Sequence, residues 1–302
     1  MRVISVLPSA TEIVCALGHG TELLARSAEC DFPSEVQKLP VAMRPRTWDA
    51  DRPSREIDER VRRARAQNQS LYELDLELLR SLRPDLLLTQ NLCGVCSVTE
   101  EEVMSACARA GVRPRVVSLV PTNLADVWDS IETVAHALED PERGHQLADA
   151  LRARTEPRPS TGRTVAVVEW LDPPILAGLW TPDLIVSAGG VPVGPPSAVP
   201  GTRTSWSELS RNPPDVLVIS PCSFSVDRTA RELDSNPTLR SAIGSVRSRI
   251  GAVVADEAYF SRPGPRLAAG AELVRDLLEG KRPEGPMPVQ PLRRTAVGTV
   301  GA

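Results

Sequence analysis

Short β-branched apolar runs alternate with helix-length amphipathic stretches, and the order repeats. In the first half, runs at 2–7, 85–89 and 115–119 predict strands, and the 3.6-residue spacing at 11–17 and 99–110 predicts helices. The second half repeats the plan, with strands at 164–169, 215–220 and 252–255 and helices at 182–188 and 227–233. Arg83-Pro84-Asp85-Leu86-Leu87-Leu88 answers Pro213-Pro214-Asp215-Val216-Leu217-Val218. Such alternation predicts βαβ units on parallel sheets, in two α/β lobes of similar plan. Between them, Leu124, Val127, Ile131, Val134, Ala135, Leu138, Leu147 and Leu151 keep a helical period, with a break expected at Asp140-Pro141.

These patterns divide the chain into an N-terminal α/β lobe at 1–122, a connecting helix at 123–154, a C-terminal α/β lobe at 163–280 and an irregular tail at 281–302. Two further helices are expected at 55–66 and 71–82, the latter from apolar residues at 71, 74, 78, 79 and 82. The Gly-, Pro- and Ser-rich stretch 189–204 is expected to be a loop.

With 302 residues, 41% hydrophobic and 25% charged, the composition is that of a globular protein long enough for two cores. A net charge of -4 gives no reason to expect a nucleic-acid partner. No apolar run is long enough to span a membrane, so none is expected. Met1-Arg2 leads straight into the first strand without an apolar leader, from which a cytoplasmic location is expected. Six cysteines in that compartment would be thiols or metal ligands rather than disulfides.

The chemistry gathers where predicted strands end, which is where open α/β sheets bind ligands. Cys30 closes the run from Leu23. Cys93 and Cys96 form a C-x-x-C just after Leu86-Leu87-Leu88-Thr89, ahead of a helix that Thr99 and Glu102 would cap. Thiols near a helix start ionise more easily. Cys30, Cys93 and Cys96 could therefore hold zinc, or an iron–sulfur cluster with one open position. Small buried residues are the plainer alternative for them. Cys222 is a fourth candidate ligand, and Cys15 and Cys107 fall on helical core positions. Ser9 with Glu12 predicts a capping box.

The second lobe offers Glu169, Trp170, Trp180, Trp206 and Tyr259 at or soon after strand ends, in a chain only 3% aromatic. Such rings suit a large flat ligand or plug loops onto the sheet. Arg262 and Arg266 could hold carboxylate, amide or phosphate groups, or form a structural pair. G-x-G-x-x-G after a strand, a P-loop, H-E-x-x-H and G-x-S-x-G are all missing. His19, His136 and His145 are expected to be solvated or near helix ends, so no catalytic residue is assigned.

Five segments carry a resemblance: Val6-Leu7-Pro8-Ser9-Ala10-Thr11-Glu12, Glu29-Cys30-Asp31-Phe32-Pro33, the stretch 88–96, Glu169-Trp170-Leu171-Asp172-Pro173-Pro174 and Ala258-Tyr259-Phe260-Ser261-Arg262-Pro263-Gly264-Pro265-Arg266. In these, residues 2–280 resemble the helical-backbone (class III) substrate-binding proteins of ABC importers, and most closely a cobalamin-binding branch. The resemblance implies two Rossmann-like lobes joined by a long connecting helix, with a ligand cleft between lobes. It also implies an ABC permease as partner, a role the lack of a leader puts in doubt. The function expected is binding of cobalamin or a similar metal chelate. The alternative is a cytoplasmic metalloprotein or enzyme with an iron–sulfur cluster or zinc on Cys30, Cys93 and Cys96.

Overall fold

A computed structural model describes residues 1–46, 51–67, 69–91 and 98–281, together with the strand Val289–Pro291. The chain is a two-lobed α/β protein. Its compact units are Met1–Glu156 with Arg262–Ala268, and Pro157–Ser261 with Ala269–Ala302.

The first unit contains β1 (Val3–Ser5), α1 (Pro8–Ala16), β2 (Leu23–Ser27), β3 (Val41–Pro45), α2 (Ser54–Ala66), β4 (Tyr72–Leu74), α3 (Leu76–Leu82), β5 (Leu86–Gln90), α4 (Glu100–Ala110), β6 (Arg115–Leu119), α5 (Leu124–Ala137) and α6 (Pro141–Arg154). Its sheet runs β4-β3-β2-β1-β5-β6. All neighbours are parallel except β4, which closes the edge antiparallel to β3. Val3, Ile4, Leu86, Leu87 and Leu88 are buried to 1% exposure or less, as central parallel strands covered on both faces require.

Several expectations change here. The helix expected at 71–82 begins instead as β4, and α3 starts only after Asp75, whose carboxylate accepts the Leu78 N–H. The connecting helix expected at 123–154 is two helices. Asn123 and Asp126 cap α5 reciprocally, Glu139 takes a left-handed turn (φ 64°), and Pro141 opens α6. The two helices pack closely. A Cβ at Gly144 would overlap the Ala135 methyl, so only glycine allows that approach. Thr99 and Glu102 do form the expected capping box on α4. Ser9 and Glu12 do not: Pro8 pre-sets the first helical turn, Leu7 becomes the N-cap, and Ser9 lies inside the helix.

The second unit contains β7 (Thr164–Leu171), β8 (Pro174–Leu176), α7 (Thr181–Ser187), β9 (Val191–Pro192), β10 (Thr202–Arg203), α8 (Trp206–Arg211), β11 (Val216–Ile219), α9 (Val226–Ser235), α10 (Pro237–Gly244), β12 (Gly251–Ala255), all but the first two residues of α11 (Leu267–Leu278) and β13 (Val289–Pro291). Its sheet runs β10-β8-β7-β11-β12-β13, with β9 beside β7. The centre, β7-β11-β12, is parallel as expected. The edges are antiparallel, so both sheets are mixed rather than purely parallel. The stretch expected as a loop at 189–204 carries β9 and β10, and the tail expected to be irregular carries β13. Pro192 and Pro291 sit on peripheral strands, where a missing N–H is tolerated.

Candidate functional site

In the first unit, the carboxyl ends of β1 and β2 deliver a charged cluster. Helix α1 follows β1 and carries Glu12, only 4% exposed. The turn after β2 carries Cys30, Asp31 and Phe32. The stretch Arg262–Ala268 brings two arginines to the same unit. Glu12 Oε1 accepts from Arg262 Nη1 at 3.2 Å and from Arg266 Nη2 at 2.5 Å, and its Oε2 accepts from Arg266 Nε at 2.8 Å. Asp31 grips Arg262 through both oxygens, at 2.5 and 3.2 Å. The Arg266 guanidinium lies 4.4 Å from the centre of the Phe32 ring, a cation–π distance.

The network fixes its own charge states. Burial pulls the Asp31 carboxyl upward, but the hydrogen bond and charge of Arg262, with Arg266 beyond it, outweigh that and hold it below its usual range. Burial likewise opposes the charge on Arg266, and Glu12 outweighs it. The expectation that Arg262 and Arg266 meet a ligand's polar groups must therefore allow for two guanidiniums already engaged by two carboxylates. Glu12 and Asp31 were missed as site residues. Glu12 fits a helix-cap pattern locally, and its actual partners lie 250 and 254 positions away.

Of the three proposed thiol ligands, only Cys30 lies among the described residues. It is buried, its Sγ sits 3.1 Å from Thr11 Oγ1, and burial pushes its thiol up to about 11. A thiol so raised is protonated near neutrality. Cys93 and Cys96 lie outside the described residues. In the sheet, β1 lies between β2, which precedes Cys30 in the chain, and β5, which precedes the C-x-x-C. Among the described residues, no group of three His, Cys, Asp or Glu could hold a metal ion.

In the second unit, the register of β7 against β8 shifts between Val168 and Trp170. The Trp170 ring packs 5.3 Å from Phe224, and its Nε1 is buried without a hydrogen-bond partner. Arg228 lies over the same Phe224 ring at 4.2 Å and pairs with Glu232 at 2.9 Å. Glu169 lies against Gly201, where any side chain would overlap its carboxylate. The Cys222 N–H donates to the Glu169 carbonyl at 2.9 Å. Trp180 and Trp206 are 6% and 8% exposed and turn their indole N–H groups inward, to the Phe260 carbonyl at 2.7 Å and the Leu171 carbonyl at 3.0 Å. Tyr259 is buried in the core between the sheet and α11. The aromatic residues picked out from the sequence thus fall into two groups: Trp170 is partly open, whereas Trp180, Trp206 and Tyr259 are built into the framework.

No family model matches the chain. In sequence it is 23% identical over 284 residues to a protein of Yersinia pestis named vitamin B12-binding protein, covering 90% of this chain and 84% of that one. In structure it matches a periplasmic haem-binding protein of Pseudomonas aeruginosa with a TM-score of 0.66 and 19% identity, over 94% of this chain and 95% of that one. It also matches the periplasmic vitamin B12-binding protein of Vibrio cholerae with a TM-score of 0.62 and 20% identity, over 92% and 96%. The fold is that of these two-lobed binding proteins. The expected cytoplasmic location is overturned by the same matches, because both solved proteins are periplasmic. The iron–sulfur or zinc alternative gains no support from them. Among the described residues no helix is long and apolar enough to cross a membrane.

Proposed function

We propose that this chain, a helical-backbone substrate-binding protein by its fold and a relative in sequence of vitamin B12-binding proteins, binds a large metal chelate of the corrinoid class for delivery to an ABC permease. The observation that carries this reading is the sequence match across 90% of the chain to proteins named for vitamin B12 binding. The fold match to solved proteins named for haem and vitamin B12 supports the broader ligand class. The chemistry of each unit is compatible with it. The first presents an exposed aromatic ring, Phe32, beside the carboxylate of Asp31. The second presents the half-buried Trp170 ring, packed against Phe224, as a flat apolar surface for a ligand. Trp180, Trp206 and Tyr259 hold the loops that carry such contacts, and Glu169 sits beside Trp170.

Titration of the purified protein with cyanocobalamin, haemin and a ferric hydroxamate, followed by tryptophan fluorescence and calorimetry, tests the reading. Saturable one-to-one binding of cyanocobalamin, weakened by Trp170→Ala, is the expected result. Absence of binding by all three chelates overturns it, and binding of haemin or the hydroxamate alone overturns the corrinoid assignment.

A further inference from the structure

We propose that Asp31 and Phe32, held in place by Arg262 and Arg266, form a subsite that takes neutral, amide-bearing arms of a chelate and rejects carboxylate-bearing ones. The proposal rests on the chelate-binding reading above and specifies the ligand chemistry of the first unit.

A site that recognises anionic side arms needs cations with donors to spare. Here the cluster of Glu12, Asp31, Arg262 and Arg266 sums to zero charge. Arg266 spends Nε and Nη2 on Glu12, and Arg262 spends Nη1 and Nη2 on Glu12 and Asp31. Both guanidiniums are recessed, with side-chain exposures of 10% and 20%. The Asp31 side chain is 56% exposed. The group turned to solvent is thus the anion. Arg262 keeps the Asp31 carboxyl below its usual range, so the anion persists through the neutral range.

A carboxylate accepts hydrogen bonds and donates none, so it favours the N–H groups of a primary amide and repels a second carboxylate. Phe32, 48% exposed and backed by the Arg266 guanidinium, supplies a flat apolar surface next to that acceptor. Glu12 makes the arrangement rigid. It is nearly fully buried and fixes both arginines, so the ring and the carboxylate are positioned before any ligand arrives.

The test compares cyanocobalamin with its side-chain monocarboxylic acid derivatives and with haemin on the wild-type protein, Asp31→Asn and Phe32→Ala, by calorimetry at neutral pH. The wild type is expected to bind the amide form about tenfold or more tightly than the acid forms, as one like-charge contact near the surface would give. Asp31→Asn should narrow that ratio by about tenfold, chiefly by improving binding of the acids. Phe32→Ala should weaken amide and acid forms alike by about tenfold, from loss of the aromatic contact. The wild-type comparison needs no substitution, so it stands even if a variant fails to fold. Equal binding of amide and acid forms by the wild type, or an unchanged ratio in a folded Asp31→Asn, overturns this inference and leaves the chelate-binding reading intact. If no chelate binds at all, both fall together.

Discussion

Replacing Glu12 by alanine should be among the most damaging single changes in the first unit. The carboxylate is 4% exposed and is the shared counter-ion of two arginines that are themselves largely buried. Its loss turns a neutral cluster into one of net charge +1, and Arg266 loses two hydrogen bonds to that carboxylate. Removing one partner of a buried ion pair costs about 3–5 kcal/mol, because the remaining charge stays buried without compensation. Two features temper that figure. Arg262 keeps Asp31 at 2.5 and 3.2 Å, and Arg266 retains 20% exposure. We expect about 3 kcal/mol, at the low end of that range. Glu12→Gln preserves shape and one acceptor but points an amide N–H₂ at a guanidinium, so about 2 kcal/mol is expected. Urea unfolding followed by circular dichroism checks both. With a slope of about 2–3 kcal/mol/M, Glu12→Ala should lower the midpoint of the first unit's transition by about 1 M at unchanged slope. A fall of less than about 0.3 M would show that the cluster contributes little and would refute the reasoning.

Other outcomes follow from single contacts. His19 lies between two carboxylates, with Nδ1 2.7 Å from Glu22 and Nε2 3.0 Å from Asp140, and the Glu22 hydrogen bond chiefly raises its basicity against the opposing effect of burial. Its folded-state value lies above the unfolded one, so its stabilisation is complete below about pH 6.5 and is lost as pH rises through the raised value. Urea midpoints at pH 5.5 and 8 should differ more in the wild type than in His19→Gln, and an equal difference in both would count against the clasp. Cys30, with its thiol raised to about 11, should resist iodoacetamide at pH 8 in the folded protein and react fully in urea. Peptide mass spectrometry reads both states, and rapid labelling of the native protein would contradict its burial. Trp206→Phe strands the buried Leu171 carbonyl and should cost about 1–3 kcal/mol, whereas Trp170→Phe removes an indole N–H that has no partner and should be nearly neutral in the absence of ligand. Thermal unfolding of the pair decides it, and a larger loss for Trp170→Phe would reverse the assignment.

The two-lobed α/β plan, the central parallel strands and the α4 capping box were legible along the chain because each is written in local periodicity. Apolar runs at Leu86–Leu88 and Val216–Ile219 can only be satisfied by burial on both faces, and Thr99 with Glu102 meet within one helical turn. The break at Asp140-Pro141 was equally local, since proline cannot continue a helix, and it turned one expected helix into the packed pair α5 and α6. The edges escaped the pattern. Strand β4 sits in a stretch whose apolar spacing also fits a helix, and pairing with β3 outweighs that preference; the short β9, β10 and β13 exist only because a neighbouring strand offers free backbone groups.

The site divides in the same way. Arg262, Arg266 and the tryptophans could be chosen from the sequence by residue type and position. Their roles could not, because those depend on partners far along the chain. Glu12 looked like a cap and proved to be the counter-ion of two arginines. Trp180 and Trp206 suit by position either a flat ligand or a loop plug, and the structure fastens their indoles to carbonyls 80 and 35 positions away. Sequence spacing governs which groups meet within a turn of helix or a step of strand. Which charges neutralise one another, and which ring stays partly exposed, is decided only when the fold brings distant segments within hydrogen-bond reach.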